Sequence, residues 1–279
     1  MARHDGVVTL RGLCALAGYS RQAYYQECSA RQCRGFDQDA VVALVKSYRK
    51  VHPRIGVRKL LVLLGEECGE LGSCIGRDRL FALLRARNLL VKRRRRGSST
   101  TDSRHGWYTW PNLIGHITPS VISQVWVSDI TYLRTGAGFV YLALVMDAYS
   151  RKIVGYHLGP SLAAEVCIAA LKMALEAMEP GARPIHHSDR GLQYCCREYI
   201  GLLKDHGCLV SMTEINHCYE NAKAERLNGI LKQEYGLSHT FRDKVQAAAA
   251  VAQAVKLYNE HRPHTALAYQ TPQAVHEAA

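Results

Sequence analysis

The pattern of apolar and polar positions divides the chain into a helical first third and a second part that begins with strands. In the first third, apolar residues recur at helical spacing in several short stretches. Gly18 breaks the first helix, and Ser20 is a suitable N-cap for the second. Helix, glycine turn and helix outline a helix-turn-helix, although a plain αα-hairpin fits nearly as well. The predicted helices cover 8–27 (two short helices), 38–51, 57–65 and 77–88.

From residue 125 onward the periodicity becomes that of strands. Three runs rich in β-branched and aromatic residues are joined by very short turns, which predicts an antiparallel meander. Strands and helices then alternate, so we expect an α/β fold in which helices flank a mixed sheet. We place strands at 125–134, 138–147, 152–158, 184–188 and 208–212, helices at 162–178 (N-cap Ser161), 194–206, 219–235 and 242–261, and an extended tail marked by Pro263 and Pro272.

The positive charge is concentrated in the first third. Residues 1–104 hold 21 Lys/Arg and 9 Asp/Glu (21 − 9 = +12), whereas residues 105–279 hold 15 of each (15 − 15 = 0). Charges that only keep a protein surface solvated would not be expected to collect in one part of the chain. The asymmetry instead predicts a basic module that binds nucleic acid, followed by a module without net charge. A basic third helix suits a major groove, and a run of like charges suits phosphates. The candidate DNA contacts are Arg77, Arg79, Arg85 and Arg87 on that helix and Lys92, Arg93, Arg94, Arg95 and Arg96 after it.

Composition sets the division of the chain. A Gly/Ser/Thr-rich stretch at 97–103 has the composition of a flexible linker. The ten cysteines are scattered without a C-x-x-C pair, so we expect them reduced, and neither a membrane-length apolar run nor a signal-peptide core is present. We therefore expect a cytoplasmic protein. The predicted divisions are 1–36 (short helical segment), 37–96 (basic DNA-binding module), 97–124 (linker), 125–240 (α/β core) and 241–279 (helix and tail).

An acidic residue interrupts the most strand-like run of the chain, residues 126–133. A buried carboxylate such as Asp129 is costly unless it is paired or binds a metal. Taken alone, Asp129 is better explained by an exposed face or a turn. Asp189, however, ends another apolar run 189 − 129 = 60 positions later, and Glu225 lies 225 − 189 = 36 positions further, in a helical stretch. Two strand-borne aspartates and a helix-borne glutamate can converge on two divalent ions, and hard oxygen ligands suit Mg²⁺ or Mn²⁺.

The surroundings of the three acids resemble the second-frame (OrfB) transposases of the insertion-sequence-3 family, relatives of retroviral integrases. The resemblance runs from about residue 10 to the end of the chain. The acid spacing and the closing stretch are specific in combination, whereas each alone is weak. The matching stretches are WVSDITY at 126–132, HSDRGLQY at 187–194, NAKAE at 221–225 and YNEHRPHTAL at 258–267.

The resemblance implies a ribonuclease-H-like integrase catalytic core at 125–240 behind a small all-α DNA-binding module, with the helix and tail of 241–279 packed on that core. It implies a transposase in which Asp129, Asp189 and Glu225 hold two Mg²⁺ or Mn²⁺ ions for DNA cleavage and strand transfer at the ends of an insertion sequence. The implied partners are the terminal inverted repeats, target DNA, further copies of the chain on DNA, and an upstream-frame protein or fusion. A bacterial, nucleoid-associated protein follows from the same resemblance.

Lys232 is a further candidate DNA contact. It lies 232 − 225 = 7 positions after Glu225, two helical turns, so both side chains fall on one helix face. A solvated lysine beside Glu234 is the alternative. Asn221 is a candidate cap of the Glu225 helix. Other polar residues permit a structural and a functional interpretation: Asp147 (turn cap or metal ligand), His186 and His187 (structural, or orienting a ligand or touching DNA), and Arg262 and His264 (pairing with core carboxylates, or DNA contact).

Two other functions fit the same residues. The first is a transposase-derived regulator that binds DNA without catalysis, which loss of an acid would favour. The second is a related ribonuclease-H-like nuclease without strand transfer. The presence of all three acids favours an enzyme, and the basic N-terminal module and the closing stretch favour a transposase.

Overall fold

A small helical module precedes a larger α/β unit in this computed structural model. The structure describes residues 10–68, 75–91, 108–214 and 221–279, and the predicted DNA contacts Lys92–Arg96 lie outside these ranges. The elements are α1 (Leu10–Leu16), α2 (Arg21–Val51), α3 (Val57–Cys68), α4 (Arg77–Ala86), β1 (Val125–Thr135), β2 (Gly138–Asp147), β3 (Ile153–Gly159), α5 (Ala164–Glu176), β4 (Ile185–Ser188), α6 (Leu192–Cys195), α7 (Arg197–Asp205), β5 (Leu209–Met212), α8 (Ala222–Glu234), β6 (Thr240–Phe241), α9 (Lys244–His261), a 3₁₀ turn (Thr265–Leu267) and α10 (Pro272–Glu277).

β1 is the central strand of a mixed sheet. The strand order is β3-β2-β1-β4-β5, and β6 pairs with the far end of β1. β1, β2 and β3 form the predicted antiparallel meander, whereas β4 and β5 run parallel to β1. The fold class expected from the sequence is therefore confirmed.

Helices cover both faces of the sheet, which explains why β1 is almost continuously buried. Val127 on one face packs in an apolar cluster with residues of α8 and α9. Trp126 on the other face packs in a second cluster with residues of α5 and α7. β1 is thus held on both faces as well as at both edges, so a side chain within it, such as that of Asp129, is placed with little freedom.

The helical module has an apolar core of its own, formed by α2, α3 and α4 around Val45, Leu60 and Leu80. Ser20 caps α2 as predicted, because its hydroxyl accepts the N–H of Ala23 at 3.0 Å. The prediction of separate helices before residue 27 and after residue 38 was wrong, since α2 runs without a break from Arg21 to Val51. No proline interrupts this stretch, so nothing in it stops a helix from propagating. The predicted boundary at residues 36 and 37 falls inside α2.

Other predicted helices also differ in the α/β unit. The predicted helix 194–206 is two helices, α6 and α7, because the backbone of Cys196 is extended and its Sγ accepts the N–H of Tyr199 at the start of α7. α5 begins after Ala163 rather than after Ser161, and no side chain caps it. The tail beyond α9 is not extended throughout, because Pro272 opens α10, where Thr271 accepts the N–H of Ala274. Proline suits the first turn of a helix, whose N–H groups have no partner within the helix. None of the helices in the described ranges is both long and apolar enough to cross a membrane.

Candidate active site

The parallel pairing of β1 and β4 brings the two predicted aspartates to the same level. Val127 is paired with His187, so Asp129 and Asp189, each two residues further on, stand side by side where β4 ends. Asp189 is fixed there by the turn that follows, because its Oδ1 accepts the N–H of Gly191 at 3.0 Å. A Cβ atom on Gly191 would lie 3.0 Å from that same oxygen, so glycine allows the backbone to approach the carboxylate.

α8 lies along β1 and runs in the same direction. Asn221, just before the helix, donates its Nδ2–H to the carbonyl of Ser128 at 3.0 Å. Asn228, two turns later, donates to Oδ2 of Asp129 at 2.7 Å. Asn221 occupies the predicted N-cap position of α8, but its side chain makes no capping hydrogen bond and instead ties the start of the helix to the sheet.

Glu225 lies in the first turn of α8, three residues before Asn228 and so on the same helix face. Its negative charge contributes to the raised pKa of Asp129, which places the carboxylate in the neighbourhood of the aspartates. Within the described ranges, no three His, Cys, Asp or Glu side chains are grouped closely enough to enclose a metal ion. Glu225 itself is exposed.

The electrostatics of the site disfavour the ionised form of Asp129. Burial raises the pKa of Asp129 to about 7, and the negative charge of Asp189 adds to the increase. The hydrogen bonds from Asn228 and from the Ile130 backbone N–H act in the opposite direction. A divalent cation would offset the repulsion between the carboxylates and favour their ionised forms. The chemistry of the donor set, carboxylate oxygens of neighbouring acids, fits a hard cation such as Mg²⁺ or Mn²⁺.

Lys232 is on the face of α8 that the sequence predicted. Its Nζ lies 4.4 Å from the centre of the Tyr132 ring, on β1 three residues after Asp129. Burial lowers the pKa of the Lys232 ammonium, and the negative charge of Asp129 opposes that shift. Lys232 is therefore a partly buried cation beside the acids and not a solvated lysine.

The arginines predicted to contact DNA are displayed on α4 and at its end. Arg79 and Arg85 are exposed. Arg77 pairs with the neighbouring Asp78 at 2.9 Å, and Arg87 pairs with Asp39 of α2 at 2.5 Å. Both pairs are exposed, where an ion pair contributes little and a phosphate can replace the carboxylate.

Several of the residues with two interpretations take structural roles. Asp147 caps the turn after β2, accepting the Ser150 N–H at 2.7 Å. His186 lies between the hydroxyl groups of Ser128 (2.7 Å) and Tyr199 (2.8 Å), and burial lowers its pKa to about 3, so it is neutral. His187 bonds Oγ of Ser211 at 2.8 Å.

The two candidates in the closing stretch also take structural roles. Arg262 pairs with the core carboxylate of Glu234 through Nε at 2.8 Å, the structural one of its two interpretations. Nδ1 of His264 accepts the N–H of Ala266 at the start of the 3₁₀ turn.

Comparison with known proteins agrees with this geometry. Integrase core domain models match residues 122–218 and 206–272. The insertion element IS600 uncharacterized 31 kDa protein of Shigella sonnei is 34% identical over 271 residues, which cover 95% of this chain and 97% of that protein. Transposase InsF for insertion sequence IS3A of Escherichia coli (strain K12) is 29% identical over 269 residues, covering 94% and 92% of the two chains. The chain belongs to the insertion-sequence-3 family of transposases.

The fold of this transposase also resembles that of a retroviral integrase. The simian T-cell lymphotropic virus intasome, solved with a regulatory subunit of PP2A, superposes with a TM-score of 0.50 at 17% identity and covers 81% of this chain and 72% of its own. That likeness concerns the fold, and it confirms the ribonuclease-H-like core expected from the sequence.

Sequence reasoning missed Asn228, although the helical spacing that selected Lys232 was available for it too. Asn228 is 228 − 225 = 3 positions from Glu225 and therefore on the same face. Sequence reasoning anticipated that Arg262 could pair with a core carboxylate but missed the second partner of Glu234. That partner, Lys59, is 234 − 59 = 175 positions away, and no local pattern links residues so far apart.

Proposed function

We propose that this transposase cleaves and joins phosphodiester bonds at the ends of an insertion sequence, with Asp129, Asp189 and Glu225 as the metal-binding acids. The observation that carries the proposal is the parallel register of β1 and β4. It sets Asp129 and Asp189 side by side under the helix that bears Glu225. When bound, two Mg²⁺ or Mn²⁺ ions would activate the attacking oxygen and stabilise the leaving one.

The protein groups of the site have separate roles in this proposal. Asp129 and Asp189 supply oxygen ligands held by a rigid sheet, and Glu225 supplies a third from the mouth of the site. Asn228 fixes one oxygen of Asp129, which leaves the carboxylate in a single orientation. Lys232 offers an ammonium to a DNA phosphate beside the acids. Positioning and charge stabilisation supply the catalysis in phosphoryl transfer, so no covalent protein–DNA intermediate is required.

Cleavage and joining of element-end DNA by the purified chain test the acids directly. Glu225→Gln keeps the size of the side chain and removes its charge, so we expect activity to fall by orders of magnitude. Glu198→Gln is the matched control, because Glu198 is an exposed glutamate in the first turn of α7. A Glu225→Gln variant that joins ends at the wild-type rate would contradict the assignment. If the wild-type chain binds element-end DNA but does not cut it, the non-catalytic alternative is favoured.

Metal binding can be measured without turnover. Mg²⁺ or Mn²⁺ should raise the melting temperature of the wild-type chain, because a ligand that binds only the folded state stabilises it. Asp129→Asn should abolish this increase, whereas Asp205→Asn, an exposed aspartate at the end of α7, should retain it. Equal responses of the two variants would place the ions elsewhere.

We infer that residues 37–96 bind the element DNA, and that copies of the chain assemble there with target DNA and an upstream-frame protein or fusion. The charge division and the exposure of Arg79 and Arg85 support DNA binding by this module. Removing one cation that neutralises a phosphate should lower the slope of log affinity against log salt by about 0.9. The Arg79→Ala/Arg85→Ala variant should therefore show a shallower slope than Lys172→Ala, which removes an exposed charge from α5. Equal salt slopes for the two variants would mean that α4 is not part of the DNA interface.

A further inference from the structure

The carboxylate of Glu234, the last residue of α8, binds side chains from two other segments of the chain. Arg262, just after α9, donates from Nε and Nη2 at 2.8 and 3.0 Å. Lys59, on α3 of the helical module, donates from Nζ to both oxygens at 3.0 and 3.2 Å. The module, the helix of Glu225 and the closing stretch therefore meet at one carboxylate.

The three charged groups are shielded from water. The Arg262 side chain is 2% exposed, that of Lys59 13% and that of Glu234 19%. Screening by solvent and salt is weak at such sites, so the geometry of this cluster is held more firmly than that of a surface pair. Two cations share one carboxylate here, so removing Glu234 would leave two like charges facing each other.

Side chains of two module residues bind the α/β unit at the end of α8. In the described part of the chain, the apolar cluster of the module is separate from the two clusters around the sheet. The hydrogen bonds between the units include those from Lys59 to Glu234 and that between Nδ1 of His52 and the Tyr235 hydroxyl at 3.2 Å. Tyr235 follows Glu234 directly, so both bonds converge on the end of α8.

The same helix connects this joint to the acids. Glu234 is 234 − 225 = 9 residues from Glu225, which corresponds to about 13.5 Å along α8. Asn221 and Asn228 tie the helix to β1 along its length. A displacement at one end of such a packed helix is passed to the other end because the helix is stiff.

We propose that Glu234 is a positioning residue: through Lys59 it fixes the DNA-binding module to the helix of Glu225, and so sets where the bound DNA lies relative to the catalytic acids. This proposal rests on the transposase function proposed above. Arg262 holds the Glu234 carboxylate in the orientation that receives Lys59. The arginine of the closing stretch acts in this way through the joint and not by contact with DNA.

Three variants of the full chain test the joint. Lys59→Met removes the ammonium but keeps an unbranched side chain, and it leaves the Glu234–Arg262 pair intact. Lys59→Arg keeps the charge and should restore the ion pair. Arg58→Met is the matched control, because it removes a neighbouring positive charge from the exposed side of α3.

Small-angle scattering and melting temperature are measured first, because neither depends on catalysis. Lys59→Met should enlarge the maximum dimension relative to Arg58→Met while the melting temperature of the α/β unit is retained. Lys59→Arg should return the wild-type dimension. If Lys59→Met and Arg58→Met scatter equally, Lys59 does not hold the module against the α/β unit. This outcome can be read even if neither the wild-type chain nor any variant cleaves DNA.

Cleavage of element-end DNA is then measured at saturating DNA, together with the position of the cut. Lys59→Met should bind DNA as Arg58→Met does, yet cleave at least about tenfold more slowly or at scattered positions, because a misplacement of about 1 Å can cost about a hundredfold in rate. Lys59→Arg should recover both rate and position. If Lys59→Met is enlarged in scattering yet cuts at the wild-type position and rate, the positioning role is wrong. If the wild-type chain itself does not cleave DNA, the result counts against the proposed function instead.

Discussion

Glu234→Gln should destabilise the α/β unit far more than Lys59→Met does, although both remove one charge from the same cluster. The glutamine retains the size of the side chain but leaves Arg262, 2% exposed, without a carboxylate. Breaking a buried ion pair by removing one partner costs about 3–5 kcal/mol. Lys59→Met instead removes a partly buried cation together with its desolvation cost and leaves a neutral Glu234–Arg262 pair with two hydrogen bonds, so the decrease should be clearly smaller than for Glu234→Gln.

Urea unfolding followed by tryptophan fluorescence measures this difference. None of the three tryptophans lies in the helical module (residues 37–96). Trp110 and Trp126 pack in the second apolar cluster of the sheet, so their signal reports on the α/β unit. The midpoint should fall for Glu234→Gln at an unchanged slope, which identifies a decrease in stability and not a change in the surface exposed on unfolding. Glu198→Gln, an exposed substitution of the same kind, should unfold like wild type.

A triple variant separates the ion pairs from the packing around them. Lys59→Met, Glu234→Leu and Arg262→Met together replace the whole cluster by apolar side chains, which is often neutral or stabilising for a buried ionic group. We expect this variant to be nearly as stable as wild type and clearly more stable than Glu234→Gln. The reasoning is refuted if Glu234→Gln is destabilised by less than about 1 kcal/mol, since Arg262 would then not depend on its carboxylate.

Asn228→Leu should lower metal affinity and turnover about tenfold to a hundredfold, because it removes the hydrogen bond that orients Asp129; isothermal titration with Mn²⁺ measures this, and unchanged binding would contradict it. Lys232→Ala should weaken binding of element ends without altering Mn²⁺ binding, since the ammonium beside Tyr132 is a phosphate partner in our proposal; unchanged DNA affinity and rate would leave it a packing residue. His186 is neutral in the fold, with a pKa of about 3 against an ordinary value near 6.5, so the unfolded chain takes up the proton first and stability should fall as the pH drops from about 6.5 toward 3. His186→Gln should flatten this acid limb in urea unfolding at a series of pH values, and an equally steep limb would assign it to other groups.

The sequence by itself determined the features that depend on local pattern and short connections. The meander of β1 to β3 follows from strand periodicity and from joins too short for a crossover, and the pairing of the strands confirms it. Ser20 was recognised as a cap because capping requires only neighbouring residues. The face shared by Glu225 and Lys232 follows from helical geometry alone.

Helix bounds were predicted less well, because weak local signals compete there with packing. The stretch between residues 27 and 38 lacks a clear apolar periodicity, yet α2 continues through it. In the sequence, a proline such as Pro272 can stand either after the end of a helix or at its start. The hydrogen bond that the Ala274 N–H donates to Oγ1 of Thr271 shows that Pro272 starts a helix.

The tertiary structure alone decided which distant residues meet. The register between β1 and β4 aligns Asp129 with Asp189, and a shift of one residue would have turned one of them to the opposite face. The contacts of Asn228 with Asp129 and of Lys59 with Glu234 join residues 99 and 175 positions apart. Contacts at such separations arise from the packing of α8 on the sheet and of the module on the end of α8, and a pattern read over one or two helical turns contains no information about either.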